Sequence, residues 1–170
     1  MGAYPRREGR SLATKTNAIR ALERAGIAFE LRTYELDLEA FSAQAVAERV
    51  GLPPTHVFKT LAARGDPSGP CLAVVPASSD LDRKALARAA GDRRTAMVPV
   101  KEVEALTGYP RGAVTALGAR RGLPVYLDSS ALDLDRMAVS GGRKGVQVLL
   151  APSDYVRLTH ATVATIARAT

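Results

Sequence analysis

The sequence predicts a mixed α/β or α+β domain in which helices flank a mixed sheet. Apolar runs of period two alternate irregularly with capped runs of period near 3.6, and at least one pair of runs makes an antiparallel hairpin. No unit of roughly 20–50 residues repeats, which sets solenoids and propellers aside. At 170 residues one well-buried domain fits and two would be cramped. The leader, residues 1–13, reads as disordered, and residues 14–170 as a single domain.

The first helix is expected in "TNAIRALERAG", with Thr16 as N-cap, Ile19 and Leu22 on one face and Gly26 as the stop. A strand follows in "IAFELRTYEL", where Tyr34 leaves on the face opposite Ile27, Phe29 and Leu31. "SAQAVAERVG" is a helix capped by Ser42 and closed by Gly51. "THVFKTLAAR" is a strand with Lys59 on the face of Val57, Leu61 and Ala63. After the turn "GDPSG", "CLAVVPA" is a buried strand, and "SSDLDRKALARAAG" a capped helix with Leu81, Ala85, Leu86 and Ala89 inward. "TAMVPV" is expected as a strand, "KEVEALTG" as a helix, "YPRGAVTALGARRG" as a glycine-punctuated loop and "LPVYLD" as a strand. "DRMAVS-GGRKG-VQVLLA" is a hairpin, and "APSDYVRLTHATVATIARAT" a helix with a break near Thr159.

Composition narrows the class. The formal charge is +7 with a pI near 10, and the bases fall in doublets: Arg6-Arg7, Arg83-Lys84, Arg93-Arg94, Arg120-Arg121 and Arg143-Lys144. Such a face suits a polyanion such as RNA, and equally a solvated basic surface. Lone Cys71 sits in an apolar run and reads as a small core residue. No apolar run approaches the ~18 residues of a membrane span, and the N-terminus lacks a secretory signal's apolar stretch. The expected location is the cytoplasm, with no membrane partner.

Familiar catalytic motifs are missing. There is no phosphate-cradling glycine loop and no nucleophile elbow. His56 and His160 have no second histidine or cysteine at ligand spacing, so no metal site is expected. The pairs Asp80/Asp82 and Asp133/Asp135 read as a helix-dipole and a turn arrangement.

Three features remain. Lys59 within an apolar strand is commonly an edge residue that blocks unwanted pairing. "GYPRGAVTALG" can turn backbone amides toward a ligand oxygen, or be a surface loop. "SGGRKG" can line a site, or be a solvated hairpin tip.

In order, "TYELD", "VFKTL", "TGYPRGAVTALG", "LDSSALD" and "VSGGRKGVQVLLAPSD" resemble the YbaK/EbsC family, the free-standing editing domains related to the insertion domain of prolyl-tRNA synthetases. The resemblance covers roughly residues 14–168. It implies a compact mixed sheet curled towards a barrel and flanked by helices, and a trans-editing deacylase clearing cysteine from Cys-tRNA(Pro), with Cys-tRNA(Cys) as a further substrate. A second sieve is needed because a small apolar pocket separates substrates of similar bulk by only ~1–3 kcal/mol. On the same resemblance Lys59, Tyr34 and Gly112 are the catalytic positions. Thr60, Tyr109, Ala113, Ser140, Gly141 and Gly142 are the substrate-binding ones. Arg83, Lys84, Arg120, Arg121, Arg143 and Lys144 are candidates for the tRNA backbone. The partners implied are tRNA(Pro) and prolyl-tRNA synthetase; no cofactor and no metal are implied. The resemblance also implies that the substrate's own thiol attacks the ester.

The loop departs from the family's Gly-Gly-(Ile/Val)-Ser-Pro: "GAVTALG" places Ala113, Thr115 and Ala116 where the second glycine, serine and proline would stand. That keeps two alternatives open. One is a deacylase for another mischarged tRNA such as Ala-tRNA(Pro), for which the sequence offers no obvious base to activate water. The other is a non-catalytic module that binds tRNA or the synthetase.

Overall fold

In the computed structural model, residues 15–35, 42–119 and 122–170 are described. Five helices are present there: α1 (Asn17–Arg24), α2 (Ala43–Val50), α3 (Arg83–Ala90), α4 (Val100–Thr107) and α5 (Pro152–Thr159). Ten strands accompany them. They are β1 (Glu30–Thr33), β2 (Phe58–Asp66), β3 (Gly69–Pro76), β4 (Ser79–Leu81), β5 (Arg94–Met97), β6 (Val125–Asp128), β7 (Met137–Ser140), β8 (Val146–Leu150), β9 (Thr162–Ala164) and β10 (Ala167–Ala169). A short 3₁₀ helix, Ser129–Asp133, follows β6.

The strands form a five-stranded sheet in the order β5-β2-β3-β6-β9, a three-stranded sheet β1-β8-β7, and the pair β10-β4. The β3–β6 and β6–β9 pairings are parallel and the other ladders antiparallel. The expected mixed α+β architecture is borne out. A single parallel bridge, Val57 to Ala138, links the two larger sheets, which curl toward each other without closing into a barrel among the described residues.

Alternation explains the layering. Phe58 and Ala62 of β2, Leu72 and Val74 of β3, Met137 and Val139 of β7, and Val148 and Leu150 of β8 turn inward. Together with Ala18 and Leu22 of α1 and Tyr155 of α5 they form the central core. The opposite face of β2–β3, with Ala63, Cys71, Ala73 and Val75, is covered by Ala85 and Leu86 of α3. Ala138 and Leu149 on the outer face of β7–β8 pack with Val57 and α2.

Caps fall where expected. Thr16, Ser42 and Asp82 each accept from the third amide of their helix, at 3.2, 3.0 and 3.0 Å. Gly51, Gly91 and Gly108 close α2, α3 and α4 in the left-handed conformation.

Several boundaries are corrected. The first strand is Glu30–Thr33, shorter than 27–36. Ser79–Leu81 is a strand and not the start of a helix, because it pairs with Ala167–Ala169. Val100 opens α4 instead of closing a strand. The largest change is at the C-terminus. Here α5 stops at Thr159 with His160 left-handed, and the remainder forms β9 beside β6 and β10 beside β4. Asp128 secures that segment, accepting from the Ile166 and Ala167 amides at 2.9 and 2.8 Å. The leader 1–13 lies outside the described residues, as do Arg120 and Arg121.

Candidate functional site

Lys59 occupies a window in the sheet. Its strand pairs with β3 along its length, Lys59 facing Val75. On the other edge the β5 ladder begins only at Ala63, and β7 is bridged only at Val57, just before β2. The Phe58–Leu61 stretch thus has no ladder on that side among the described residues, the Ala62 carbonyl already accepting from the Val98 amide at 3.0 Å. Lys59 is half-buried between two apolar clusters, that of Val57 and that of Leu61. Its ammonium has no hydrogen bond or ion pair among the described residues. Because β7 runs parallel to β2, advancing two residues from the Val57–Ala138 bridge sets Ser140 alongside Lys59.

Ser140 joins that window to the glycine-rich turn. Its Oγ donates to the Ala113 carbonyl at 3.0 Å and accepts from the Gly142 amide at 3.1 Å. Thr16, already capping α1, donates to the Gly141 carbonyl at 2.5 Å. The hairpin tip, the glycine-rich turn and the start of α1 therefore meet at one place. Tightness is enforced by glycines: a Cβ on Gly142 (φ +87°) would lie 2.7 Å from Tyr109 Cε1. One on Gly118 (φ +65°) would lie 2.6 Å from the Asn17 carbonyl oxygen.

The expected site residues divide by what they can offer. Gly112 is exposed at φ +85°, and its N–H has no partner among the described residues. A Cβ there would press on the Lys144 stem, 3.0 Å from Cε. Ala113 is fully buried and its amide is committed to the Pro110 carbonyl at 3.0 Å, so it holds the turn and has no N–H left for a ligand. Tyr109 lies beneath Gly142 with its hydroxyl donated to the Leu117 carbonyl at 2.6 Å. Burial pushes that phenol up to about 12, and its contribution is support of the tip. Tyr34 packs against the Val57–Ala138–Leu149 cluster, and its amide donates to the Gly145 carbonyl at 3.0 Å. That puts Tyr34 beside the hairpin tip on the Lys59 face. Thr60 points to the other face, where its buried Oγ1 has no partner among the described residues.

The described doublets Arg143-Lys144 and Arg83-Lys84 do not form one surface. Arg143 and Lys144 are exposed at the hairpin tip next to Gly112. Arg83 and Lys84 open α3, and the Arg83 carbonyl accepts from Thr95, which pairs with Gly65. Gly65 lies six residue steps from Lys59, roughly 20 Å along β2. Neither histidine lies at the window. His56 borders a cleft of about 270 Å³ at the opposite end of β7, with Asp133, Asp135 and Arg136. His160 is exposed beyond α5. The lone thiol, Cys71, is buried under α3 and pushed up to about 11 by that burial.

Two contributors were missed at the sequence level. Thr16 read only as a cap, although its hydroxyl also reaches the hairpin 125 residues away. Gln147 is not singled out by the hairpin's sequence, yet it is buried, directly across from Ser140 and from Arg32. Nothing in the local pattern separates either from an ordinary cap or strand residue.

A profile of the aminoacyl-tRNA editing domain family matches residues 38–158. The chain is 36% identical over 152 residues to an Enterococcus faecalis protein provisionally named Cys-tRNA(Pro)/Cys-tRNA(Cys) deacylase EbsC, spanning 89% of this chain and 93% of that one. A crystal structure provisionally described as a trans-editing enzyme for prolyl tRNA synthetase superposes with a TM-score of 0.80. It is 26% identical and the match covers 94% of this chain and 99% of the other. A hypothetical protein, APE2540, shares the fold with a TM-score of 0.82 at 22% identity over 90% and 100% of the two chains.

Proposed function

The chain belongs to the aminoacyl-tRNA editing domain family, and from that premise we propose that it is a trans-editing deacylase that clears cysteine from mischarged Cys-tRNA(Pro). The observation that carries this reading is the window beside Ser140, where the Lys59 ammonium stands without a partner among the described residues and the Ser140 hydroxyl reaches the Ala113 carbonyl next to Gly112. A half-buried cation near a turn that carries an unengaged backbone N–H suits a reaction in which negative charge develops on an ester oxygen. The name given to the Enterococcus faecalis relative agrees with cysteine as the amino acid removed.

In this reading the substrate supplies the nucleophile. The cysteinyl thiolate attacks its own ester carbonyl carbon, a C–S bond forms, and the bond to the ribose oxygen breaks as that oxygen takes up a proton. The product thiolactone is then hydrolysed by water. A free thiol is a few per cent thiolate at neutral pH and intrinsically reactive, whereas a serine hydroxyl in the same pose is not. Cysteine is thereby selected by its chemistry, and the protein holds the ester and stabilises the developing charge. Prolyl-tRNA synthetase is the partner that would present tRNA(Pro), and Arg143 and Lys144, exposed at the hairpin tip beside Gly112, are bases for the acceptor end.

Deacylation of Cys-tRNA(Pro), Ala-tRNA(Pro) and Pro-tRNA(Pro) by wild type and Lys59→Ala tests the reading. Loss of cysteine alone, abolished in the variant, is the expected result. Cleavage of the alanyl ester would overturn the thiol route, and tRNA binding without any turnover would make the domain a binder.

A further inference from the structure

Gln147 is a buried amide whose carbonyl oxygen is unserved among the described residues. The residue is 6% exposed, and its Oε1 is fully shielded without a hydrogen-bond partner among the described residues. The β-ladder explains why its neighbours do not serve it. Across one side stands Arg32, whose Nε is held by Glu30 at 3.3 Å and whose guanidinium donates to the Val50 carbonyl at 2.8 Å. Across the other stands Ser140, whose single O–H is given to Ala113. An acceptor in this position carries a desolvation penalty unless an incoming donor meets it.

The direction of the side chain identifies that donor. Gln147 projects from β8 on the face that carries Leu149, next to Ala138 and Ser140 of β7 and on the side of Tyr34. Lys59 shares that face through the Val57 bridge. An aminoacyl ester seated between Lys59 and Ser140 brings one strong N–H donor to within a bond or two of its carbonyl, the α-ammonium. A neutral carboxamide oxygen accepts from it without cancelling its charge, so the electron-withdrawing ammonium keeps the adjacent carbonyl electrophilic.

We propose that Gln147 receives the α-ammonium of the aminoacyl group and makes the site selective for a free amine. The assignment deepens the editing reading and rests on it. Its test reads binding, using non-hydrolysable 3′-(L-alanylamino)-3′-deoxyadenosine and the N-acetyl form of the same compound, titrated calorimetrically into the full chain. Wild type should prefer the free amine by about 10- to 100-fold, the range of one hydrogen bond to a charged group. Gln147→Met should reduce that preference to about twofold while leaving the N-acetyl affinity within about twofold of wild type. Gln147→Glu, which adds charge toward an ammonium, should widen it. Equal preference in wild type and Gln147→Met, or no preference in wild type, overturns the assignment. Amine preference in a protein that cleaves no aminoacyl-tRNA would uphold Gln147 and remove the deacylase reading. Equal cleavage of free and N-acetylated Cys-tRNA(Pro) would do the reverse.

Discussion

Ser140 donates its hydroxyl proton to the Ala113 carbonyl at 3.0 Å, fastening the hairpin tip to the glycine-rich turn. The same oxygen accepts from the Gly142 amide, so one side chain sets the spacing of two loops. Removing it with Ser140→Ala leaves both partners unserved in a half-buried place. Stability should fall by about 1–2 kcal/mol, read from urea unfolding. Deacylation kcat/KM should fall further than the unfolded fraction accounts for. An unchanged kcat/KM would mean the two loops hold their spacing without the hydroxyl.

Gly142→Ala forces a side chain into the left-handed region and against the Tyr109 ring. The conformation costs about 1–2 kcal/mol and the overlap about as much again. For a chain of this size each kcal/mol moves Tm by about 2–4 °C. A fall of roughly 5–10 °C in a thermal melt is expected, and a fall under about 2 °C would show that Tyr109 yields easily.

Asp128 makes the acid limb of stability. Burial by itself would raise its carboxyl, but hydrogen bonds from the Ser130 hydroxyl and from the Ile166, Ala167 and Ser130 amides outweigh it and hold the carboxyl below its ordinary value. A folded value below the unfolded one gives stability that is present above the unfolded carboxylate range and disappears as pH falls through the folded value. Asp128→Asn should lose about 2–3 kcal/mol at pH 7. Its stability should approach that of wild type as the medium becomes acid. Parallel unfolding curves for the two proteins between pH 7 and 3 would refute this.

Tyr155 is wholly buried in α5, its hydroxyl without a partner among the described residues and held well above the usual phenol range by desolvation. Tyr155→Phe removes an unserved polar atom and keeps the ring. The variant should match wild type or gain up to about 1 kcal/mol. A loss of that size would reveal a bonded water.

Separation of the basic doublets predicts unequal roles in RNA binding. The double change Arg143→Ala/Lys144→Ala should make the log K against log salt plot shallower by about one to two units, each neutralised phosphate contributing roughly 0.7–0.9. Arg83→Ala/Lys84→Ala should leave the slope within error. The opposite ranking would move the acceptor stem to α3.

The sequence carried the helices better than the ends of the sheet. Thr16, Ser42 and Asp82 announce helix starts through a local side-chain bond, and Gly51, Gly91 and Gly108 announce stops through their freedom at positive φ. These signals are local and survive without tertiary context. Strands β9 and β10 have none. Thr162–Ala164 and Ala167–Ala169 are only three residues each, the second an arginine between two alanines, and become strands because β6 and β4 present open edges to them. The strand face of Lys59 was legible from alternation, as was the opposite orientation of Thr60. Commitment of the Ala113 amide to Pro110 was not, since it depends on how the turn closes. Gln147 needed the register itself, because only there do its two neighbours prove to be engaged elsewhere.

The convergence of Thr16, Ala113, Gly118 and Ser140 also fixes when the cleft can exist during synthesis. Its walls come from α1, β2, the glycine-rich turn and the β7–β8 hairpin, joined by bonds such as Thr16 to Gly141. Contacts this distant wait for loop closure and form slowly. A ribosome that has not yet released the β7–β8 hairpin carries a chain with helices but no cleft. Editing capacity therefore waits for that hairpin and then arrives all at once, and a product terminated before it would have none.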